Sequence, residues 1–237
     1  MAQTVTDPIA VMKRYELKYL LNAEQTAYLK KRLEGHMQVD QFGLTSIASL
    51  YYDTPDYRLI RASLEKPSYK EKIRLRSYGL ATEKSPVFLE LKRKADGVVY
   101  KRRVQSTIPQ VERFFAQPGE AVPAGQINRE IQTFRDFYRE LIPACLIIYD
   151  RTAYFEPEGD LRLTIDAKPR YRVEELTLEK SMDGIPLLPE GWTILELKVQ
   201  NAMPLWMAEI LSAGNIYKSS FSKYGEAYRQ LLLKTSA

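Results

Sequence analysis

Cysteine is almost absent from this chain. Cys145 is the only one, so no internal disulfide can form. It lies in the apolar run ACLIIYD and reads as a small buried hydrophobe. A reducing, cytoplasmic setting is expected. Histidine is as scarce. His36 follows the helix-ending Gly35 and has no partners that would make it a catalytic base. No Cys/His cluster exists for zinc. There is no GxxxxGK(S/T) loop and no GxGxxG fingerprint, so a glycine-rich phosphate loop is excluded. No run approaches the roughly 18 apolar residues of a membrane helix. The opening MAQTVTDPIAV lacks the basic and apolar regions of a signal peptide. A soluble protein is expected, with no membrane span of its own and no membrane partner indicated.

What the chain does have is a core and many charges. Of its 237 residues, 45% are hydrophobic and 27% charged, which argues against wholesale disorder. The net charge of +5 and pI near 9.1 are modest. A diffuse nucleic-acid binder carries a larger excess, so no nucleic-acid partner is expected and the placement of charge matters more than its sum.

Residues 1–12 read as a loose tail before a single domain, 13–237. Alternation predicts strands at Lys13–Leu21, Ile47–Asp53, Phe88–Lys94, Val98–Val104, Ala144–Phe155, Leu161–Asp166 and Thr193–Val199, with Arg170–Val173 as an extension. Asp96-Gly97 is a hairpin turn. Asn22 with Gln25 forms a capping box for a helix over Ala23–Leu33. Pro55 at the first helical position predicts a helix over Asp56–Leu64. Further helices are expected at Pro109–Phe115, Gln126–Leu141, from Pro204 to Gly214, and at Tyr224–Leu233. PGEAVPAG is a loop. The mixture predicts an α+β domain.

The segment Lys70–Arg103 carries the clearest functional signal. In KEKIRLRSYG, Ile73 and Leu75 alternate with Lys72, Arg74 and Arg76. In VFLELKRK, Val87, Leu89 and Leu91 alternate with Glu90, Lys92 and Lys94. The same pattern recurs with Lys18, Lys101, Arg151, Arg162 and Lys198, and with the carboxylates Glu16, Asp166 and Glu196. FLELK and ILELK each set a glutamate beside a lysine. Alternation alone leaves two readings open. One is an ordinary sheet with a solvated charged face. The other is a barrel whose cations point inward, where they repel one another unless a polyanion is bound.

Nine segments occur in a familiar order: YELKYLL, SLYYDTPD, KIRLRSYG, FLELKRK, YKRR, YDRTAY, LRLTIDAKPRYR, ILELKVQNAMPLWM and SFSKYGEAY. In this the chain resembles the VTC-type polyphosphate polymerase domain, one of the triphosphate tunnel metalloenzymes. The resemblance implies a closed antiparallel eight-stranded β-barrel with helices packed outside. It implies transfer of the terminal phosphoryl group of ATP to an inorganic polyphosphate chain, with release of ADP. Carried over residue by residue, it implies phosphate ligands Lys18, Arg74, Arg76, Lys92, Lys101, Arg151, Arg162, Ser222 and Lys223. Glu196 would be the principal ligand of a divalent metal, Mn2+ or Mg2+, with Glu90 and Asp166 as further candidates. Lys198 either binds phosphate or holds Glu196 in position. The family often has a lysine where Ser220 stands, and Lys218 is the nearest one here.

Two other functions compete. A triphosphate hydrolase of the same superfamily typically opens with ExExK, and here Arg14 replaces the first glutamate. A non-catalytic polyanion-binding module would bind without turnover. Tyr51, Tyr52 and Tyr154 read as core or rim aromatics, and Tyr57 and Trp206 as helix packing.

Overall fold

Asn22 starts the first helix by capping, as its sequence predicts. Its side chain accepts from the N–H of Gln25 at 2.8 Å, and Gln25 returns the bond to the Asn22 N–H at 3.1 Å. The computed structural model describes residues 15–96, 98–117, 125–199 and 202–235, with side chains to 231. The expected tail, Lys13 and Arg14 of the first strand, Gly97 of the hairpin turn and residues 118–124 of the proline-rich loop lie outside the described residues.

The elements run β1 (Tyr15–Leu21), α1 (Ala23–Leu33), β2 (Gln38–Asp53), α2 (Arg58–Leu64), β3 (Tyr69–Tyr78), β4 (Val87–Ala95), β5 (Val98–Ser106), α3 (Ile108–Ala116), α4 (Gln126–Tyr138), β6 (Ile142–Phe155), β7 (Arg162–Arg172), β8 (Ile185–Pro186), β9 (Thr193–Val199), α5 (Leu205–Ala213), β10 (Lys218–Ser219) and α6 (Lys223–Thr235). The domain is α+β, and none of its described helices is long and apolar enough to cross a membrane.

The expected eight-stranded closed barrel is not what forms. The sheet has ten strands in the order β10-β1-β9-β7-β6-β2-β3-β4-β5, with β8 paired to β7. Among the described residues nothing pairs with the outer edge of β5, and β10 covers only Lys18 and Tyr19 of β1. Alternation reveals which face of a strand is charged, but it carries no information on whether the two end strands meet. The sheet nevertheless curls into a trough. Lys92 of β4 reaches Glu16 of β1 at 3.4 Å, although these strands are not ladder neighbours.

Three apolar clusters hold this shape. On the outer face, Leu50, Leu75, Leu89 and Ile148 pack under α3 and α4 through Phe114, Ile131 and Phe134. Also outside, Leu163, Leu195 and Leu197 pack under α1 and α5 through Leu29, Leu33, Met207 and Leu211. Each such side chain, fully buried, contributes roughly 1.5–3 kcal/mol.

The third cluster corrects the expectation that all helices lie outside. Tyr51, Ile147 and Tyr149 belong to the inner face, and they pack against Tyr224, Ala227 and Tyr228 of α6 and Ile60 of α2. The last helix therefore fills one end of the trough. Gly225 makes the fit close, since a Cβ there would come within 2.9 Å of Leu64.

Two boundaries differ from expectation for identifiable reasons. α2 begins at Arg58, because Tyr57 adopts a left-handed conformation (φ 59°) and Asp53 takes the free N–H groups of Leu59 and Ile60. β2 begins nine residues before Ile47, at Gln38. Its first half is largely exposed and is broken by a register shift between Val39 and Leu44, where Gly43 has φ 56°. No apolar alternation marks such a segment.

Candidate functional site

The ladder register fixes which side chains share the inner face. Across β1, β9 and β7, Lys18 faces Glu196, Glu16 faces Lys198, and Arg162 faces Lys198. Arg151 of β6 faces Asp166 of β7. These are mostly opposite charges. Across β3, β4 and β5 the pairing is different. Lys72, Lys92 and Lys101 stand directly opposite one another in a row. Like charges so placed destabilise a sheet. The next row sets Glu90 between Arg74 and Arg103.

Glu90 is the counter-charge for its whole neighbourhood. It is 1% exposed. It lies 2.8 Å from Arg74, 3.7 Å from Arg76, 2.7 Å from Lys101 and 3.8 Å from Arg103. Burial opposes its charge, but Arg74, Arg76 and Lys101 outweigh burial and bring its pKa down to about 2. Two tyrosines complete the cage. Arg74 donates to the Tyr51 hydroxyl at 2.9 Å, and Arg76 to that of Tyr149 at 3.0 Å. Burial pushes the Tyr51 phenol up, yet Arg74, Lys72 and Arg76 prevail and lower it to about 8.

Asp166 plays the same part on the opposite wall. Arg151 grips it in a fork, at 2.6 and 2.8 Å, and Lys223 of α6 bonds the second oxygen. Burial works against the Asp166 charge, and Lys223 and Arg151 overcome it, so its pKa is lowered. Three consecutive residues thus pin the start of α6 to three places. Ser222 meets Lys72 of β3, Lys223 meets Asp166 of β7, and Tyr224 meets Asp53 at the end of β2.

Glu196 is held more loosely. Its nearest cations are Arg151 at 3.7 Å and Lys198 at 3.8 Å. Glu16 lies beside it, within hydrogen-bond reach, and is paired with Lys18 at 3.2 Å and Lys92 at 3.4 Å. Burial disfavours the Glu16 charge, but the ammonium groups, Lys92 first and then Lys18 and Lys198, take its pKa well below the usual carboxylate range. Burial also works against the Lys18 charge, while Glu196 and Glu16 raise its pKa.

Hard divalent cations are commonly held by one or two carboxylates, with phosphate oxygens and water completing the shell. Glu196 and Glu16 fit that donor set. The oxygens of Glu90 and Asp166 are each held by a cation at 2.8 Å or closer, whereas those of Glu16 stand 3.2 and 3.4 Å from Lys18 and Lys92. Among the described residues there is no cluster of three or more His, Cys, Asp or Glu that would cage a metal by itself.

The inner face thus brings together Lys18, Arg74, Arg76, Lys92, Lys101, Arg151, Lys198, Ser222, Lys223 and all four carboxylates. Arg162 stands apart. It is exposed, lies 5.4 Å from the Phe155 ring and makes no ion pair among the described residues. Lys218 does not face the trough. It sits opposite Tyr19, a residue of the outer cluster, while Ser219 sits opposite Lys18. His36 stacks on Trp206 at 4.3 Å, on the outer side. Cys145 is buried, as expected of a small hydrophobe.

Sequence reasoning placed Lys72 on the charged face of its strand without giving it a role of its own, and it missed Arg103, Tyr149 and Asp53. Lys72, Arg103 and Tyr149 carry a visible signal, since each lies two residues from a chosen cation on the same strand: Arg74, Lys101 and Arg151. Asp53 has no such signal.

Comparison with known proteins agrees with this architecture. Among solved structures, a putative adenylate cyclase from Bacillus halodurans superposes with a TM-score of 0.55 at 15% identity, covering 87% of this chain and 92% of that one. A putative adenylyl cyclase from Hippeastrum, described as having a dominant triphosphatase activity, gives 0.53 at 18% identity, covering 90% and 93%. No curated protein matches the chain in sequence. The sequence profile of the VTC domain matches residues 13–232. The chain shares its fold with these two proteins, and it belongs to the VTC domain family.

Proposed function

We propose that this protein is a polyphosphate polymerase, carried by one domain over residues 13–237. An oxygen of a bound phosphate chain attacks the terminal phosphorus of ATP. The bond from that phosphorus to the bridging oxygen breaks, and ADP leaves. The observation that carries this reading is the row Lys72–Lys92–Lys101 beside the caged Glu90. Lys101 has Glu90 and Lys92 has Glu16 as partners, but Lys72 has no acid within ion-pair distance among the described residues, and a bound polyanion offsets the repulsion that remains along the row.

Phosphoryl transfer asks mainly for positioning and charge neutralisation. Arg74, Arg76 and Arg151 would grip non-bridging oxygens, and Lys18, Lys92, Lys101 and Lys198 would neutralise the chain as point charges. Lys223 and Ser222 would add contacts at the end filled by α6, and Arg162 would meet the substrate at the rim. Glu196 with Glu16 would hold a divalent cation, manganese or magnesium. When bound, such an ion supplies charge neutralisation between phosphates. No protein base is needed, because the nucleophile is already a phosphate oxygen. Cys145, buried and unpaired, suits a reducing cytoplasm.

The second reading is a triphosphate hydrolase, favoured by the activity described for the Hippeastrum protein. Incubation with ATP and manganese separates the two. Long acid-labile chains with stoichiometric ADP are expected. Orthophosphate as the sole product, at every ATP and primer concentration, would overturn the polymerase.

A further inference from the structure

Lys72 is a cation without a counter-charge. Among the described residues no carboxylate lies within ion-pair distance of it. Its contacts are the Ser222 hydroxyl at 3.5 Å and the face of the Tyr224 ring at 5.9 Å. Its neighbours add to the repulsion. Lys92 is its register partner, and Lys70 and Arg74 flank it on its own strand. Lys18 approaches from β1, and Tyr51 from β2 is the one group that favours its charge. Burial, then Lys70, Lys18 and Lys92, pull its pKa down to about 8.

The position of this lysine matters as much as its charge. Ser222 caps α6, its hydroxyl accepting the Gly225 N–H at 3.2 Å. Beyond that point the inner face is covered by Tyr224, Ala227 and Tyr228, which are buried against Tyr51, Ile147 and Tyr149. The uncovered part of the inner face ends here. The last group of a linear anion lying along it would meet an ammonium, a hydroxyl and the first turn of a helix.

We propose that Lys72 and Ser222 form a terminal phosphate stop, receiving the end group of a linear phosphate chain at the blind end of the trough. This deepens, and rests on, the assignment of the trough to triphosphate-bearing substrates. It gives a role to Lys72, which opens the KIRLRSYG segment but received none from the resemblance, and it adds a direction: the chain lies with one end fixed against α6.

The test is tripolyphosphate binding by calorimetry, without nucleotide, from pH 7 to pH 9. Wild-type affinity is expected to fall as Lys72 loses its proton. Lys72→Met should bind at least ten-fold more weakly at pH 7 and lose most of that pH dependence. Lys72→Arg should keep the affinity and hold it to higher pH. Tyr51→Phe, measured alongside, removes the neighbouring phenol with a pKa of about 8, and the fall should persist in it; comparing each variant with wild type at the same pH cancels the titration of tripolyphosphate itself. Lys72→Met should also melt at or above the wild-type temperature, because it removes an uncompensated cation. Wild-type affinity in Lys72→Met overturns the stop. So does a loss of affinity in both Lys72 variants with the pH profile unchanged, which marks a merely structural role. A wild-type protein that fails to bind tripolyphosphate rejects the underlying triphosphate assignment as well.

Discussion

Tyr224 donates its hydroxyl hydrogen to Asp53 at 2.9 Å, in a place where neither residue sees solvent. The same carboxylate accepts the N–H groups of Thr54, Leu59 and Ile60. Asp53 therefore joins the end of β2, the start of α2 and the start of α6. Burial raises its pKa in spite of these donors.

Removing one donor from a buried carboxylate is costly. Tyr224→Phe should lose roughly 1–3 kcal/mol of stability, read from denaturant midpoints. Because Ser222 and Lys223 depend on the seat of α6, affinity for tripolyphosphate should drop too. A variant with unchanged midpoint and affinity would show that apolar packing alone seats the helix.

Glu90 gives the fold an acid-sensitive element. Its folded pKa of about 2 lies below the ordinary value of 4.5. A lowered carboxylate pKa stabilises the folded state above the unfolded value, and that contribution is lost as pH falls through the folded value. Wild-type stability should thus decline between about pH 4.5 and pH 2, by roughly 3 kcal/mol from this group. Glu90→Gln should be less stable at pH 7, since Arg74, Arg76 and Lys101 lose their shared partner. Its stability curve should be flatter in the acid window. A parallel decline in both proteins would count against Glu90 as the source.

Glu196→Gln addresses the metal site. Manganese affinity, followed by paramagnetic resonance of the free ion, should weaken at least ten-fold. Tripolyphosphate affinity without metal should change little, because Arg74, Arg76 and Lys92 remain. Undiminished manganese binding would remove Glu196 from the ligand set.

Much of this molecule was legible in its residues, for physical reasons. The segment Thr193–Val199 alternates cleanly and forms a strand with those bounds. Ala23–Leu33 has a complete capping box, and its helix starts where the box predicts. The inner cations follow a period of two, which is why Arg74, Lys92 and Arg151 could be picked out. What stayed hidden depends on long-range geometry. An exposed, bulged segment such as the first half of β2 has no periodic apolar signal. Asp53 reads as the end of a strand, because its partner Tyr224 comes from the last helix. Lys72 sits in the same alternation as Arg74, but its lack of an acid partner appears only when every other element is in place. Whether a curled sheet closes is decided by its end strands, and β10 is two residues long.

Among the described residues the edge of the sheet is unsealed, and this bears on how the proposed long substrate would be loaded. The walls of the trough are spanned there by Lys92 and Glu16, side chain to side chain, and not by a ladder. Separating them breaks this one ion pair, and no backbone hydrogen bond is lost. On the proposed function, a phosphate chain longer than the trough would enter sideways through that seam, without being threaded from one end.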